Sequence, residues 1–263
     1  MKKIITTIQL KIKKRQKEII KLLFRFHHLN RIQIQALLGH KKFNRIIIWL
    51  NELAKERYLA KDFDRKMGNV SAVYSLDKNA KKILDKEKDI NRSYETRVYR
   101  DRKNSDKFKK HCLFLADIYL SLLKLTKKNR AKLSFNTMTD LYKMRYLIDP
   151  IPDAYFAITD KNKNIKRYFL DIFDDADNLK WPHMRVIQHF DYYDEETWQD
   201  NTDKPFPEVI LVCKKQENIK NLDKFIKKQM SYRISDVSFY LSSWEEIQKQ
   251  GINSGVLHKV EPE

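Results

Sequence analysis

The stretch KKFNR, residues 41–45, sets Lys41, Lys42, Asn44 and Arg45 at the head of a helix-like segment. These side chains suit the edges of nucleobases. Lysine and arginine donate to guanine, asparagine pairs with adenine, and any of them can take a phosphate. Arg31 and Gln33 begin the preceding helix-like segment and are placed to grip a phosphodiester backbone. Arg65 and Lys66 lie in a short turn further on, suited to a minor groove or a phosphate. The competing reading is a solvated cationic face, which for one isolated helix is the better account. The choice rests on the elements that carry these residues and on where the remaining charge falls.

Those elements are three helices and a hairpin. KKRQKEIIKLLFRF carries Ile19, Ile20, Leu22, Leu23, Phe24 and Phe26 on a broad apolar face, with Lys13, Lys14, Arg15, Lys17 and Lys21 opposite. In HHLNRIQIQALLGH, Asn30 is an N-cap for a short helix carrying Ile32, Ile34, Leu37 and Leu38, and Gly39 ends it. The third helix lies in KKFNRIIIWLNELAKERYL, where Phe43, Ile46, Ile47, Leu50, Leu53 and Ala54 share a face. Trp49 either completes that core or offers a contact to a second copy. A glycine turn between the second and third helices matches the helix-turn-helix pattern. YLAKDFD and SAVYSL then read as strands about the turn RKMGNV, with Tyr58 and Leu59 entering, Arg65, Lys66 and Gly68 at the tip, and Val73, Tyr74 and Leu76 returning. That hairpin is the wing of a winged helix. DKNAKKILDKEK predicts a fourth helix capped by Asp77. A recognition helix enters the major groove with its N-terminal residues at base edges, where Lys41, Lys42, Asn44 and Arg45 stand.

Charge supports the same assignment. The 263-residue chain has 54 Lys+Arg against 35 Asp+Glu, a formal charge of +19. Residues 1–110 hold 31 basic and 12 acidic side chains, hence the whole excess, and residues 111–263 are neutral. This concentration implies a polyanion-binding module beside a neutral one. Nucleic acid, as double-stranded DNA, is the polyanion favoured, since no basic amphipathic anchor with a clean apolar face is visible. Cys112 and Cys213 lie far apart on apolar segments, without metal spacing or a disulfide framework, and read as buried thiols of a cytosolic protein. No stretch approaches the ~20 apolar residues of a membrane span. The basic N-terminus lacks a small-residue cleavage site. A cytoplasmic protein with no membrane partner is expected.

Residues 86–110, KEKDINRSYETRVYRDRKNSDKFKK, carry only a thin apolar stripe of Tyr94, Val98 and Tyr99. They read as a helical or partly ordered connector with Arg92, Arg97, Arg100, Arg102 and Lys103 available to phosphate, or equally as a solvated linker. The expected division is a winged helix over 1–88, a basic connector over 89–110 and a second domain over 111–263. In that domain HCLFLADIYLSLLKLTKK is a strong apolar helix, followed by β-like runs in LYKMRYLI, DAYFAI and KRYFLDIF. A helix in PHMRVIQHFDYYDEETW, a strand in PEVILVC, a helix in ENIKNLDKFIKKQM, a strand in DVSFYLS and a helix near SWEEIQKQ complete the order. A meander followed by βαβ crossovers implies a mixed sheet flanked by helices, so the class is α+β or α/β.

That order is similar to the core of the PD-(D/E)xK nuclease superfamily. The resemblance implies an aspartate at the start of the second core strand and a second acid on the third, with a lysine two residues later. The acids would hold a divalent metal that activates water. IPDAYF supplies Asp153 and RYFLDIFDD supplies Asp171, an interval of 18 residues that suits neighbouring strands with a turn at KNKN. Phe173 stands at the lysine position. Arg185 is a substitute that does not readily lose a proton. Asp174 and Asp175 add negative charge, and His183 and His189 are either site residues or structural ones. The expectation is a degenerate, non-catalytic domain. Asp153 and Asp171 take catalytic and metal-binding roles, with Mg²⁺ or Mn²⁺, only if the site is active, and otherwise no cofactor is required.

The stretches KKRQKEIIKLLFRFHHLNRIQIQALLGH, RIIIWLNELAKERYLAK, AVYSLDKNAKKIL, IPDAYF and RYFLDIFDD together resemble the replication-relaxation family of Gram-positive plasmids and mobile elements. The resemblance implies a winged helix joined to a restriction-endonuclease-like mixed-sheet α/β domain, with a role in replication, relaxation or transfer. The third-strand motif of such proteins commonly has two acids separated by one residue. Asp171 matches the first, and Phe173 replaces the second. Three functions are compatible: a DNA-binding accessory protein that recruits replication or transfer proteins, a transcriptional repressor, and a metal-dependent nuclease. A homodimer is expected because helix-turn-helix proteins commonly read two half-sites. The helix at 111–128 and the face around Trp49 are its candidate interfaces.

Overall fold

The computed structural model describes residues 12–63, 71–86, 100–101, 104–174 and 179–262. The chain forms two compact units, residues 1–113 and 114–263.

Among the described residues, the first unit is organised around helices α1 (Lys14–Phe26), α2 (Arg31–Leu37) and α3 (Phe43–Lys55). On α1, Ile19, Ile20, Leu23 and Phe26 recur at helical spacing and are all buried. Gln16 is buried on the same helix. Its Oε1 accepts the Lys13 N–H at 2.9 Å, and its Nε2 donates to Glu52 on α3 at 2.7 Å. The first turn of α1 is thereby tied to α3. Asn30 caps α2 as expected. Its Oδ1 accepts the Gln33 N–H at 2.9 Å, and the Gln33 side chain accepts the Asn30 N–H at 3.1 Å, a reciprocal capping box. Gly39 closes α2 at φ +61°. Its N–H donates to Ala36 and that of His40 to Gln35, a Schellman turn that suits glycine.

Strands β1 (Leu29–Asn30), β2 (Leu59–Asp62) and β3 (Val73–Leu76) form an antiparallel sheet in the order β1-β3-β2. Leu29 pairs with Tyr74 and Leu59 with Leu76. The turn that holds Arg65, Lys66 and Gly68 lies outside the described residues. Asp77 caps a 3₁₀ turn, Lys78–Ala80, which leads into α4 (Lys81–Leu84). The connector cations Arg92, Arg97, Arg102 and Lys103 also lie outside the described residues.

The division between units falls within α5 (Asp106–Lys128). In the second unit a six-stranded mixed sheet runs in chain order: β4 (Lys132–Thr137), β5 (Ala154–Thr159), β6 (Ile165–Phe173), β7 (Glu208–Cys213), β8 (Phe239–Ser243) and β9 (His258–Lys259). The β4-β5-β6 pairs are antiparallel, β6-β7-β8 are parallel, and β9 returns antiparallel. Helices α6 (Met138–Leu141), α7 (Lys180–Asp194), α8 (Thr197–Thr202), α9 (Gln216–Met230) and α10 (Trp244–Gln250) complete it. The class is α+β with a mixed sheet. From Val209 to Cys213, β7 is buried throughout, as a strand covered on both faces must be. Val186 and Phe190 on α7 and Leu222 and Ile226 on α9 share its core with Val209, Leu211, Phe239 and Leu241. Pro182 is tolerated in α7 because it falls in the first turn, where N–H groups have no partner within the helix.

One strand lies elsewhere than its sequence implies. The first strand is KLSFNT, not LYKMRYLI. The Thr137 N–H donates to Asp140 at 2.9 Å, and this capping box starts α6 at once. Leu141, Leu147 and Ile148 are buried in a cluster with Phe169, Tyr192 and Trp198. Their apolar character is that of a turn-rich segment under a core. Gly251 ends α10 at φ +72°, and a Cβ there would meet Ser121 Oγ at 2.3 Å. Among the described residues, no helix is long and apolar enough to cross a membrane.

Candidate functional site

The head of α3 is open. Lys42 is its N-cap in extended conformation, with no side-chain cap and no acid in the first turn. Lys41, Lys42, Asn44 and Arg45 are all exposed. The positive end of the helix dipole and these cations therefore share one locus. His40 Nδ1 accepts the Lys42 N–H at 3.2 Å, and its ring meets Trp49 edge-on at 5.2 Å. Trp49 is 8% exposed and joins Ile46, Leu50 and Leu53 on the buried side. It is a core residue, and the face around it is not a free surface for a second copy.

Two residues differ from expectation. Gln33 does not grip a backbone: it is buried, with its amide committed to the Asn30 cap and to Leu113 O at 2.8 Å. Phe43 is 52% exposed instead of core, and the Arg31 guanidinium sits 5.8 Å from its ring centroid. Arg31 is half-buried. Ile48 and Asn51, passed over in the sequence, lie on the exposed side of α3. Their spacing from Asn44 was the available signal.

In the second unit the acidic residues are brought together. Ala154 pairs with Leu170, and continuing that register sets Asp153 opposite Asp171. Asp153 Oδ2 accepts the Ile172 N–H at 2.7 Å. Asp171 is buried, with Oδ1 3.0 Å from Arg185 Nε and Oδ2 2.7 Å from His189 Nε2. Arg185 and His189, four residues apart on α7, present to the same carboxylate. Arg185 Nη1 also donates to Pro150 O at 2.7 Å. Burial opposes the charge of Asp171, but the Arg185 charge and the His189 hydrogen bond outweigh it and hold the carboxyl at about 2. Burial, reinforced by Arg185, lowers the pKa of His189. A neutral ring then donates its Nε2–H to the carboxylate.

This arrangement does not fit a divalent cation. Both Asp171 oxygens face donors, one Asp153 oxygen faces a backbone amide, and Phe173 is buried in the sheet core. Among the described residues, no group of three or more His, Cys, Asp or Glu side chains could hold a metal ion. Asp175 lies outside the described residues. His183 is half-buried and stacks on Phe225 at 4.1 Å.

Fold and site together define an α+β protein with a basic helical unit and a neutral unit whose central carboxylate is neutralised internally. The chain belongs to the replication-relaxation family, whose profile matches residues 20–209. No curated protein matches the chain. Among solved structures, restriction endonuclease FokI is similar at 10% identity and a TM-score of 0.28, over 92% of this chain and 45% of that one. The chain thus spans less than half of that protein's length.

Proposed function

We propose that the first unit is a winged helix-turn-helix that binds double-stranded DNA, and that the chain serves replication or relaxation of a plasmid or mobile element as a DNA reader. The observation that carries this reading is the open head of α3, where Lys41, Lys42, Asn44 and Arg45 are all exposed. It belongs to the unit that holds the entire +19 charge excess. Helix α2, the Gly39 turn and α3, followed by the β2–β3 hairpin, supply the matching frame. Cations on phosphate supply affinity by releasing counterions, and side chains in the major groove supply selectivity. A second copy on a second half-site, and replication or transfer proteins recruited to the bound DNA, complete the proposal.

The second unit acts without hydrolysis in this reading and requires neither Mg²⁺ nor Mn²⁺. The engagement of Asp171 by Arg185 and His189 supports this. Titration of the full chain against duplex DNA at increasing salt tests binding. A steep fall in affinity is expected, and an absence of salt-sensitive affinity would overturn the proposal. Incubation with supercoiled and linear DNA plus Mg²⁺ or Mn²⁺ tests the second unit. Cleavage that is lost in both Asp153→Ala and Asp171→Ala would overturn the non-hydrolytic role.

A further inference from the structure

Beyond Phe43 and Arg45 in its first turn, the exposed residues of helix α3 form one narrow stripe. Successive helical residues turn by about 100°, so Asn44, Ile48, Asn51 and Lys55 fall within an arc of roughly 60°. All four are exposed. A singly exposed apolar residue is ordinary on a protein surface. Ile48, however, is 45% exposed on a helix that buries Ile46, Trp49, Leu50 and Leu53 on its other side. It is flanked at i−4 and i+3 by asparagines, which are among the weaker helix formers. Lys41, Lys42 and Arg45 surround the head of the same stripe. Helical propensity and solubility favour neither the asparagines nor the isoleucine at these positions.

Base chemistry does. In the major groove adenine shows an N7 acceptor beside an N6 donor, which matches a carboxamide in two-pronged fashion, and thymine shows a C5 methyl that matches an aliphatic side chain. A G·C pair offers guanine two acceptors and cytosine one donor, with no methyl. We propose that this stripe reads A·T base pairs, with Asn44 and Asn51 each pairing with adenine and Ile48 packing on a thymine methyl. Lys41, Lys42, Arg45 and Lys55 then contact flanking phosphates. The seven helical steps from Asn44 to Asn51 rise about 10 Å, or roughly three base-pair steps. The stripe therefore specifies a short A·T core. This inference rests on the duplex-binding reading above.

The test selects bound duplexes from a random pool with the full chain, then remakes the recovered site with deoxyuridine for thymidine or G·C for A·T. An A·T-rich core is expected. Loss of one thymine methyl should weaken the wild type several-fold and leave Ile48→Ala unaffected. Asn44→Ala and Asn51→Ala should each relax the preference for A·T over G·C by roughly tenfold without changing the salt dependence. These positions are exposed, and circular dichroism of each variant checks that it folds. A G·C-rich core, or equal discrimination by wild type and all three variants, would overturn the inference. Salt-sensitive affinity without base preference overturns it and leaves duplex binding standing, whereas no affinity for any duplex removes both.

Discussion

Arg185 Nε lies 3.0 Å from Asp171 Oδ1, and one helical turn later His189 Nε2 lies 2.7 Å from Oδ2. Both oxygens of a buried carboxylate are thus answered from one face of α7. Such a pair is costly to break from one side, because the remaining charge stays buried. Arg185→Met should therefore lower stability by about 3–5 kcal/mol in urea unfolding. The double variant Asp171→Leu/Arg185→Met should recover much of that loss, since two apolar groups leave no unpaired charge. A single variant as stable as wild type would show that the ion pair does not hold α7 to β6.

The same geometry predicts indifference to divalent cations. Saturating Mg²⁺ or Mn²⁺ should leave the Tm unchanged, because binding to the native state alone would raise it. A saturable rise that disappears in Asp171→Asn would show that metal displaces Arg185.

Stability should fall in mild acid. Burial lowers the pKa of His28 to about 4, against the opposing pull of Asp101. Its Nε2 lies 3.3 Å from Asn104 Nδ2, which suits a neutral ring that accepts. Because the unfolded histidine takes its proton near 6.5, the stabilisation is complete above that pH and is lost as pH falls toward 4. His189 shifts in the same direction. Asp171, held at about 2, adds its own loss only below the ordinary aspartate value of 3.8. Unfolding measured from about pH 7 to pH 4.5 should show up to about 3 kcal/mol lost through His28, and His28→Gln should flatten that slope.

Gly251→Ala should destabilise the second unit by about 2 kcal/mol, measured as a lower Tm. The backbone there has φ +72°, and the added methyl would strike Ser121 Oγ. That hydroxyl also accepts the Ile252 N–H at 2.9 Å, so moving it leaves a backbone donor without its partner. A neutral outcome would mean that the Ser121 side chain turns aside at no cost.

For the proposed DNA interface, where Lys42 and Arg45 hold flanking phosphates, Lys42→Ala and Arg45→Ala should each weaken duplex binding about equally on every sequence and lower the salt slope by about one. Gln33→Ala should instead lower stability, because Gln33 secures the α2 cap and Leu113 O.

Capping and periodicity made the first unit legible. Asn30, Gln33 and Gly39 act within a few residues of themselves, and local spacing encodes what they do. The second unit was legible in its element order but not in its first strand, because Leu141, Leu147 and Ile148 of LYKMRYLI are buried from a turn-rich segment packed with Trp198 and Phe169. Gln33 showed the same limit. A polar residue at a helix start looks solvent-facing until a carbonyl 80 positions away covers it.

The sequence alone determined the segregation of charge, the helical frame of the first unit and the spacing of Asp153 and Asp171. All three are properties of composition and short-range pattern. Tertiary structure decided which face of α3 meets solvent, that Trp49 and Gln33 are withdrawn, and that Asp171 is answered by Arg185 and His189. A hydrogen-bonded ion pair needs donor and acceptor within about 3 Å of each other. Whether a carboxylate is available to a metal or already paired therefore depends on how β6 meets α7, a distance that spacing along the chain does not encode.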